Sequence, residues 1–192
     1  MESRRVKIYK HYKPDRDYTL FHGDCKDFLK KLPSNTIDLT VTSPPYCMGK
    51  DYDKSTKVED FASFHETILE EIVRVTKEGG SICWQVGYHV KKSVVVPLDF
   101  LIYNIFNKNE NLFLRNRIIW TYGHGLHSKN RFSGRHEVIL WFTKGNEYFF
   151  DLDGSEFHRN ILVKNIIKVL KKASLAVILR GKILQMFGIF RM

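Results

Sequence analysis

The chain has 192 residues, of which 43% are hydrophobic and 27% are charged, a balance typical of one globular domain with a real core. No stretch approaches the roughly 18 apolar residues that a membrane-spanning helix requires. Residues 1–17 are polar and basic and do not resemble a secretory signal peptide. We therefore expect a cytoplasmic protein with a polar N-terminal arm.

The net charge of +10 would ordinarily favour a nucleic-acid or anionic-membrane partner. Its distribution matters more than its size. Residues 155–192 hold eight Lys or Arg residues and one acidic residue. The basic character is therefore mostly a property of this C-terminal segment.

The cysteine content argues against a disulfide framework or a zinc site. The three cysteines, Cys25, Cys47 and Cys83, form no CxxC pair. An odd number without such spacing suits a reducing compartment. We expect three small buried thiols.

Strand and helix patterns alternate through the first half of the chain. YTLFHGDC predicts a short strand that ends at Gly23, and CKDFLKKL after it carries apolar residues at helical spacing up to Pro33. IDLTVT, residues 37–42, predicts a strand that is covered on both faces. Residues 59–77 predict an amphipathic helix that Gly79-Gly80 ends. Its apolar side consists of Phe61, Phe64, Ile68, Ile72 and Val75.

The second half continues the alternation and defines the fold class. SICWQVG predicts a strand, PLDFLIYNIF a helix, and RNRIIWTY and HEVILWFTKG two strands that loop 123–135 separates. This order predicts an α/β fold with a mostly parallel sheet covered on both faces. In such sheets ligands bind at the carboxyl ends of the strands. Two short motifs, residues 22–25 and 43–46, fall at those ends.

The second of these motifs, Ser43-Pro44-Pro45-Tyr46, ends its strand abruptly. Proline lacks the N–H that a central strand needs and has a fixed φ, so the Pro44 carbonyl points in one direction. A fixed carbonyl, the Ser43 hydroxyl and the Tyr46 ring together suit a planar heterocycle with an exocyclic amine, such as a nucleobase flipped out of its helix. Taken alone, the tetrapeptide would be better explained as a turn with a core tyrosine.

The order of motifs along the chain adds context to the tetrapeptide. GDC, TSPPY, a helix ending in EGG, SICWQVG, RNRIIW and RHEVILWFTKG follow one another. This order resembles the DNA amino-methyltransferases of the N4-cytosine/N6-adenine type, in the arrangement whose catalytic half precedes the cofactor glycine motif. The resemblance covers nearly all of residues 18–153. It implies a Rossmann-like methyltransferase sheet with helices on both faces, S-adenosylmethionine (SAM) as methyl donor and double-stranded DNA as substrate.

The resemblance also implies roles for individual residues. It assigns the target base to four of them: Ser43, Pro44, Pro45 and Tyr46. The serine hydroxyl and the Pro44 carbonyl would accept the amine hydrogens and orient the nitrogen for in-line attack on the SAM methyl group. Asp24, with Cys25 in the same GDC motif, would contact the SAM adenine, and Asp24 is equally consistent with a helix cap. Members that act on N4 of cytosine usually carry Ser where adenine-type members carry Asp or Asn, so Ser43 favours N4-cytosine over N6-adenine.

Loop 123–135, GHGLHSKNRFSGR, is rich in cations. Given the resemblance, Lys129, Arg131 and Arg135 are predicted to bind DNA, although a solvated loop between two strands would have a similar composition. His124 and His127 have the i, i+3 spacing of a metal pair. No third ligand lies nearby and the chemistry needs none, so we predict no metal site.

The segment after Asp153 does not continue the resemblance. The recognition segment and the Asp-Pro-Phe-x-Gly-x-Gly stretch of the family should follow, and instead residues 155–192 have the pattern of a basic amphipathic helix. Joining the third base of each codon to the first two of the next makes residues 154–168 compatible with VRVPQKYPGKKHYK and residues 176–189 with CNPxGKNPSDVWD. Both strings resemble sequences of this family. We predict that residues 18–154 are the catalytic part and that 155–192 are an out-of-frame tail, not part of the family fold.

Three hypotheses for function follow. The first is a SAM-dependent DNA methyltransferase of a restriction-modification system, accompanied by a cognate endonuclease and present here as a truncated, impaired copy. The second is a catalytically silent DNA-binding fragment. The third is N-methylation of RNA or of a protein amide, although such relatives usually place the glycine motif before the tetrapeptide.

Overall fold

A computed structural model describes residues 12–13, 18–44, 46, 61–123, 127–151, 175–179 and 183–187. The described elements, in chain order, are β1 (Tyr18–Phe21), α1 (Cys25–Leu29), β2 (Ile37–Thr42), α2 (Phe61–Val75), β3 (Thr76–Val86), β4 (Tyr88–Lys91), β5 (Val94–Pro97), α3 (Leu98–Phe106), β6 (Leu112–Thr121), β7 (His136–Lys144), β8 (Leu175–Leu179) and β9 (Ile183–Phe187). A 7-stranded sheet has the order β1-β8-β9-β2-β3-β7-β6, and β4 and β5 form a separate hairpin. The predicted α/β class is confirmed. Within the described ranges, no helix has the length and apolar character needed to cross a membrane.

The sheet is mixed, so the expectation of a mostly parallel sheet is wrong. β2 pairs in parallel with β3 and with β9. The ladders β1–β8, β8–β9, β3–β7 and β6–β7 are antiparallel. The loop between β6 and β7 carries no crossover helix, so β7 turns back directly along β6.

The pairing directions place an end of each of the seven strands on one edge of the sheet. β1, β2, β3, β6 and β9 run the same way, and β7 and β8 run against them. The carboxyl ends of the first group therefore lie on the same edge as the starts of β7 and β8. We refer to this as the carboxyl edge.

A buried aromatic core holds the two long helices on the sheet. Trp84 of β3 is fully buried and makes edge-on contacts with His65 of α2 and with Phe106 of α3, at ring-centre distances of 6.0 and 5.9 Å. Four of the five predicted apolar positions of α2 are fully buried, and Phe64 is half-buried. Both of these helices thus pack on the Trp84 face of the sheet.

The two consecutive glycines lie inside β3 and do not end α2 as predicted. α2 ends at Val75 and β3 begins at Thr76. Gly79 has a φ of 75°, and a Cβ there would stand 3.0 Å from the carbonyl oxygen of Glu147. A Cβ on Gly80 would meet the carbonyl oxygen of Lys77 at 2.9 Å. The glycines therefore permit close backbone approach at the start of the strand.

The β4–β5 hairpin was not predicted from the sequence. Lys91 pairs with Val94, so the connecting loop has two residues, Lys92 and Ser93. Both have positive φ, 49° and 67°, as a type I′ turn requires. Asn and Gly usually occupy such turns, so the pair Lys-Ser gave no signal.

Replacing Ser93 by glycine is expected to stabilise the protein by about 0.5–1 kcal/mol, because glycine adopts positive φ without a steric cost. For a chain of this size that corresponds to a rise in Tm of about 1–4 °C. The matched control is Ser63→Gly within α2, where the same replacement should lower Tm because the helical φ is negative. Thermal melts of the three proteins measure the difference, and a lower Tm for Ser93→Gly would contradict the turn assignment.

Two parts of the segment 155–192 have a place in the sheet. β8 pairs with β1, and β9 pairs with β2. The sequence predicted a helical pattern for this segment and no role for it in the family fold. The reading-frame hypothesis concerns the codons rather than the backbone, and it stays a prediction.

Candidate functional site

The end of β2 brings two hydroxyl groups together. Ser43 follows the last residue of the strand, and its Oγ lies 2.9 Å from Tyr46 Oη, a hydrogen bond in which either hydroxyl can be the donor. Pro44 between them is buried, while Ser43 and Tyr46 are half-buried. Pro45 lies outside the described residues. Three of the four predicted base-binding residues are thus placed together at the carboxyl edge.

The ring of Tyr46 lies against the end of β3. Its Cδ2 and Cε2 atoms are 3.4 Å from the point where a Cβ on Gly87 would stand, and Glu137 Cγ is 3.8 Å from the same point. The ring also packs against the hydrophobic core. The aromatic ring therefore lies next to the backbone of Gly87, between the end of β2 and the start of β7.

Polar side chains that the sequence did not single out surround this platform. Gln85 Nε2 donates a hydrogen bond to Glu137 Oε2 across the β3–β7 ladder. Burial, followed by the charge of Glu137 and the neighbouring Tyr88, raises the pKa of Tyr122 above its usual value, so Tyr122 stays a neutral phenol that can donate a hydrogen bond. The sequence could have predicted Gln85 and Glu137 as site residues, because QVG lies at the end of one predicted strand and HEV at the start of another.

A cavity of about 350 Å³ opens beside Gly87, which is within the usual range for small-ligand sites. Arg117 Nε donates a hydrogen bond of 2.8 Å to Asp99 Oδ2 on its wall. Its lining also includes Tyr88, Arg131, Phe132 and Glu137. The cavity thus combines aromatic rings with charges of both signs. A larger cavity of about 510 Å³ lies between α2 and α3 near the start of β6, away from every predicted site residue.

The three predicted DNA-binding cations lie in the loop that joins β6 to β7, and one of them, Arg131, also lines the smaller cavity. The guanidinium carbon of Arg131 is 5.7 Å from the centre of the Tyr88 ring. Arg135 Nη1 donates to the carbonyl oxygen of Gly123 at 3.4 Å, and Lys129 is exposed. The structure therefore places these cations at the carboxyl edge with the tetrapeptide. His124 lies outside the described residues.

The GDC motif lies on the same edge but farther along it. Asp24 caps α1, because Lys26 N donates to its Oδ1 at 2.8 Å, so the predicted capping role is present. Burial, and then the charge of Asp24, raises the pKa of the Cys25 thiol, which keeps that thiol protonated. β8 and β9 separate β1 from β2, so the two motifs are roughly 14 Å apart, at about 4.8 Å for each strand spacing.

Comparison with known sequences relates the chain to one family. A model for DNA methylases of the N6/N4 methyltransferase type matches residues 37–177. The Type II methyltransferase M.BglII of Bacillus subtilis is 41% identical over 158 residues, which cover 82% of this chain and 44% of that protein. The chain spans about half the length of the curated relatives that it matches.

Comparison with solved structures supports the fold. PvuII DNA methyltransferase (cytosine-N4-specific) superposes with a TM-score of 0.60 at 19% identity, covering 74% of this chain and 54% of that one. The protein TTHA0409 from Thermus thermophilus, in its complex with S-adenosyl-L-methionine, gives a TM-score of 0.53 at 23% identity, covering 76% and 60%. At these identities the likeness is one of fold, and it agrees with the predicted methyltransferase sheet.

Proposed function

Because the chain belongs to the DNA methylase family, we propose that residues 18–154 form the base-binding part of a DNA amino-methyltransferase. Its substrate is the exocyclic amine of a base flipped out of double-stranded DNA, with SAM as the methyl donor. The observation that carries the proposal is the pair Ser43–Tyr46, two hydroxyl groups 2.9 Å apart at a strand end, with the Tyr46 ring beside Gly87.

The tetrapeptide orients the amine through acceptors. When Ser43 donates its proton to Tyr46 Oη, its oxygen keeps two lone pairs that can accept a hydrogen from the base. The Pro44 carbonyl is the second acceptor. When the two acceptors hold the two amine hydrogens, the nitrogen lone pair is free to attack the methyl group of SAM in line. The residues act by orientation and electrostatics, with no covalent intermediate.

SAM is the cofactor that the proposal requires, and when bound it supplies an electrophilic methyl group. Asp24 fits a contact to its adenine amine, because one carboxylate oxygen caps α1 while the side chain keeps 26% of its surface exposed. Cys25, the next residue of the GDC motif, would lie beside the same part of the cofactor. The remaining contacts to the cofactor would come from the sequence that the restored reading frame encodes after Asp153.

The remaining roles concern the DNA and the cellular context. Ser43 favours N4 of cytosine as the methylated atom. Lys129, Arg131 and Arg135 would bind phosphates beside the flipped base, since all three lie in the loop between β6 and β7 and Arg131 lines the cavity. The relatives named as Type II methyltransferases support a restriction-modification system in the cytoplasm with a cognate endonuclease.

We expect little or no methyl transfer by the 192-residue chain, and transfer to DNA by the protein whose reading frame is restored after Asp153. Transfer of a radiolabelled methyl group from SAM to DNA measures both. The matched control is a gene in which the reading frame is shifted after Asp153 in the opposite direction. Activity of the 192-residue chain would contradict its impairment, and stop codons in the restored frame would contradict the frame hypothesis.

A catalytically silent DNA-binding fragment is the second candidate, favoured by the incomplete cofactor site. Calorimetric titration of the 192-residue chain with SAM separates the two candidates. Saturable binding supports the methyltransferase, whereas duplex binding without SAM binding supports the fragment. Methylation of RNA or of a protein amide would be detected by offering those substrates to the restored protein in place of duplex DNA.

A further inference from the structure

We propose that Phe132 is a DNA wedge, a side chain that enters the base stack and fills the space left by the flipped base. The proposal rests on the proposed function and adds a positioning residue to it. Phe132 is 99% exposed, more than any other large apolar side chain among the described residues. A single exposed apolar ring is ordinary on a protein surface, so the position of this ring and the cations around it are what point to a partner.

The backbone on both sides of Phe132 is fixed by hydrogen bonds. Arg131 Nη1 donates to the carbonyl oxygen of Phe132 at 3.0 Å, and Ser128 N donates to Ser133 Oγ at 3.1 Å. Tyr88 Oη donates to the carbonyl oxygen of Gly134 at 3.0 Å. A Cβ on Gly134 would come within 2.2 Å of Tyr88 Oη, so only glycine allows this contact. The loop therefore holds the phenyl ring outward.

The Phe132 ring belongs to the same region of the surface as the predicted base-binding residues. Phe132 and Gly87 line the same cavity of about 350 Å³. The Tyr46 ring lies against Gly87. A base held near Tyr46 would leave its stack at the rim of this cavity, which is where Phe132 projects.

The charges around the ring select DNA as the partner. Lys129 and Arg131 precede Phe132 by three residues and one residue, and Arg135 follows it three residues later. An apolar ring among cations complements a duplex, whose apolar base stack lies between two rows of phosphates. Proteins that distort DNA use phenylalanine in this way, by inserting it between base steps.

The test compares two 30-base-pair fluorescent duplexes that differ only in one central abasic site, and measures the affinity of the 192-residue chain by anisotropy. The abasic site offers a gap that costs nothing to open, so wild-type protein should bind that duplex about 5- to 150-fold more tightly, the range that aromatic–base stacking gives. Phe132→Ala should lose this preference and keep its affinity for the intact duplex, because the cations remain. Phe132→Trp should keep the preference.

Phe149→Ala is the matched control, since Phe149 is 83% exposed and follows the segment that contacts Gly79 at the opposite edge of the sheet. It should bind both duplexes like the wild type. An unchanged preference in Phe132→Ala, or equal affinity of the wild type for the two duplexes, would overturn the wedge and leave the methyl-transfer proposal standing. The wedge would also be overturned if the wild type self-associated in sedimentation and Phe132→Ala abolished that association, because the ring would then contact a second copy of the chain. Failure of the wild type to bind either duplex would overturn the wedge, and methyl transfer by the frame-restored protein would then decide the methyl-transfer proposal separately.

Discussion

Tyr46→Ala in the frame-restored protein is expected to lower the rate of methyl transfer by about 10²–10³-fold, and Ser43→Ala by a similar factor, as the loss of one preorganised catalytic hydrogen bond does elsewhere. Both changes remove a partner of the 2.9 Å hydrogen bond at the end of β2. Tyr46→Ala also removes the ring that lies beside Gly87. The measurement is single-turnover transfer of a labelled methyl group to DNA.

Tyr46→Phe separates the ring from the hydroxyl. It keeps the platform and loses one hydrogen bond, so its rate should fall by about 2- to 13-fold, the equivalent of about 0.5–1.5 kcal/mol. Tyr103→Phe is the matched control, because the Tyr103 hydroxyl donates an exposed hydrogen bond of 3.2 Å to Asn107 Oδ1 just after α3, and its loss should leave the rate unchanged. A wild-type rate for Tyr46→Ala would exclude the tetrapeptide from base binding.

The free energy of unfolding should fall by about 3 kcal/mol between pH 6.5 and pH 4 through His65 alone. His65 is fully buried, and burial lowers its pKa from the ordinary 6.5 to about 4. Its Nδ1 donates to the carbonyl oxygen of Phe61 at 2.7 Å, and within the described residues its Nε2 has no partner. The unfolded chain therefore takes up this proton first as the pH falls, and the stability that is fully present above pH 6.5 is lost toward pH 4.

Urea denaturation of the wild type and of His65→Leu across this range measures the effect. Leucine has a similar volume and does not titrate, so the variant should show a smaller slope of stability against pH. Ile68→Leu is the matched control, since it conserves volume at another fully buried position of α2 and removes no titratable group, and it should keep the wild-type slope. Equal slopes for wild type and His65→Leu would show that His65 does not take up the proton.

Local patterns were enough to predict the elements that lead to the site. IDLTVT is β2 with the bounds predicted, because a run of β-branched and apolar residues followed by two prolines allows few other structures. The apolar spacing of α2 likewise predicted the side that is buried. The Gly79-Gly80 pair was misinterpreted, because glycine serves a helix end and a close strand approach equally well. Only the positions of Glu147 and Lys77 distinguish the two.

The sequence by itself determined the family, the α/β class and the strand ends at which the two motifs lie, and it predicted the residues that would present hydroxyl, carbonyl and ring to a base. These depend on residue type and spacing along the chain, which are local properties. The tertiary structure decided the mixed strand directions, the contact between Gln85 and Glu137, the Tyr46 ring beside Gly87, and the outward position of Phe132. Those features depend on contacts between segments far apart in sequence, and on which side chains the packed sheet leaves in water.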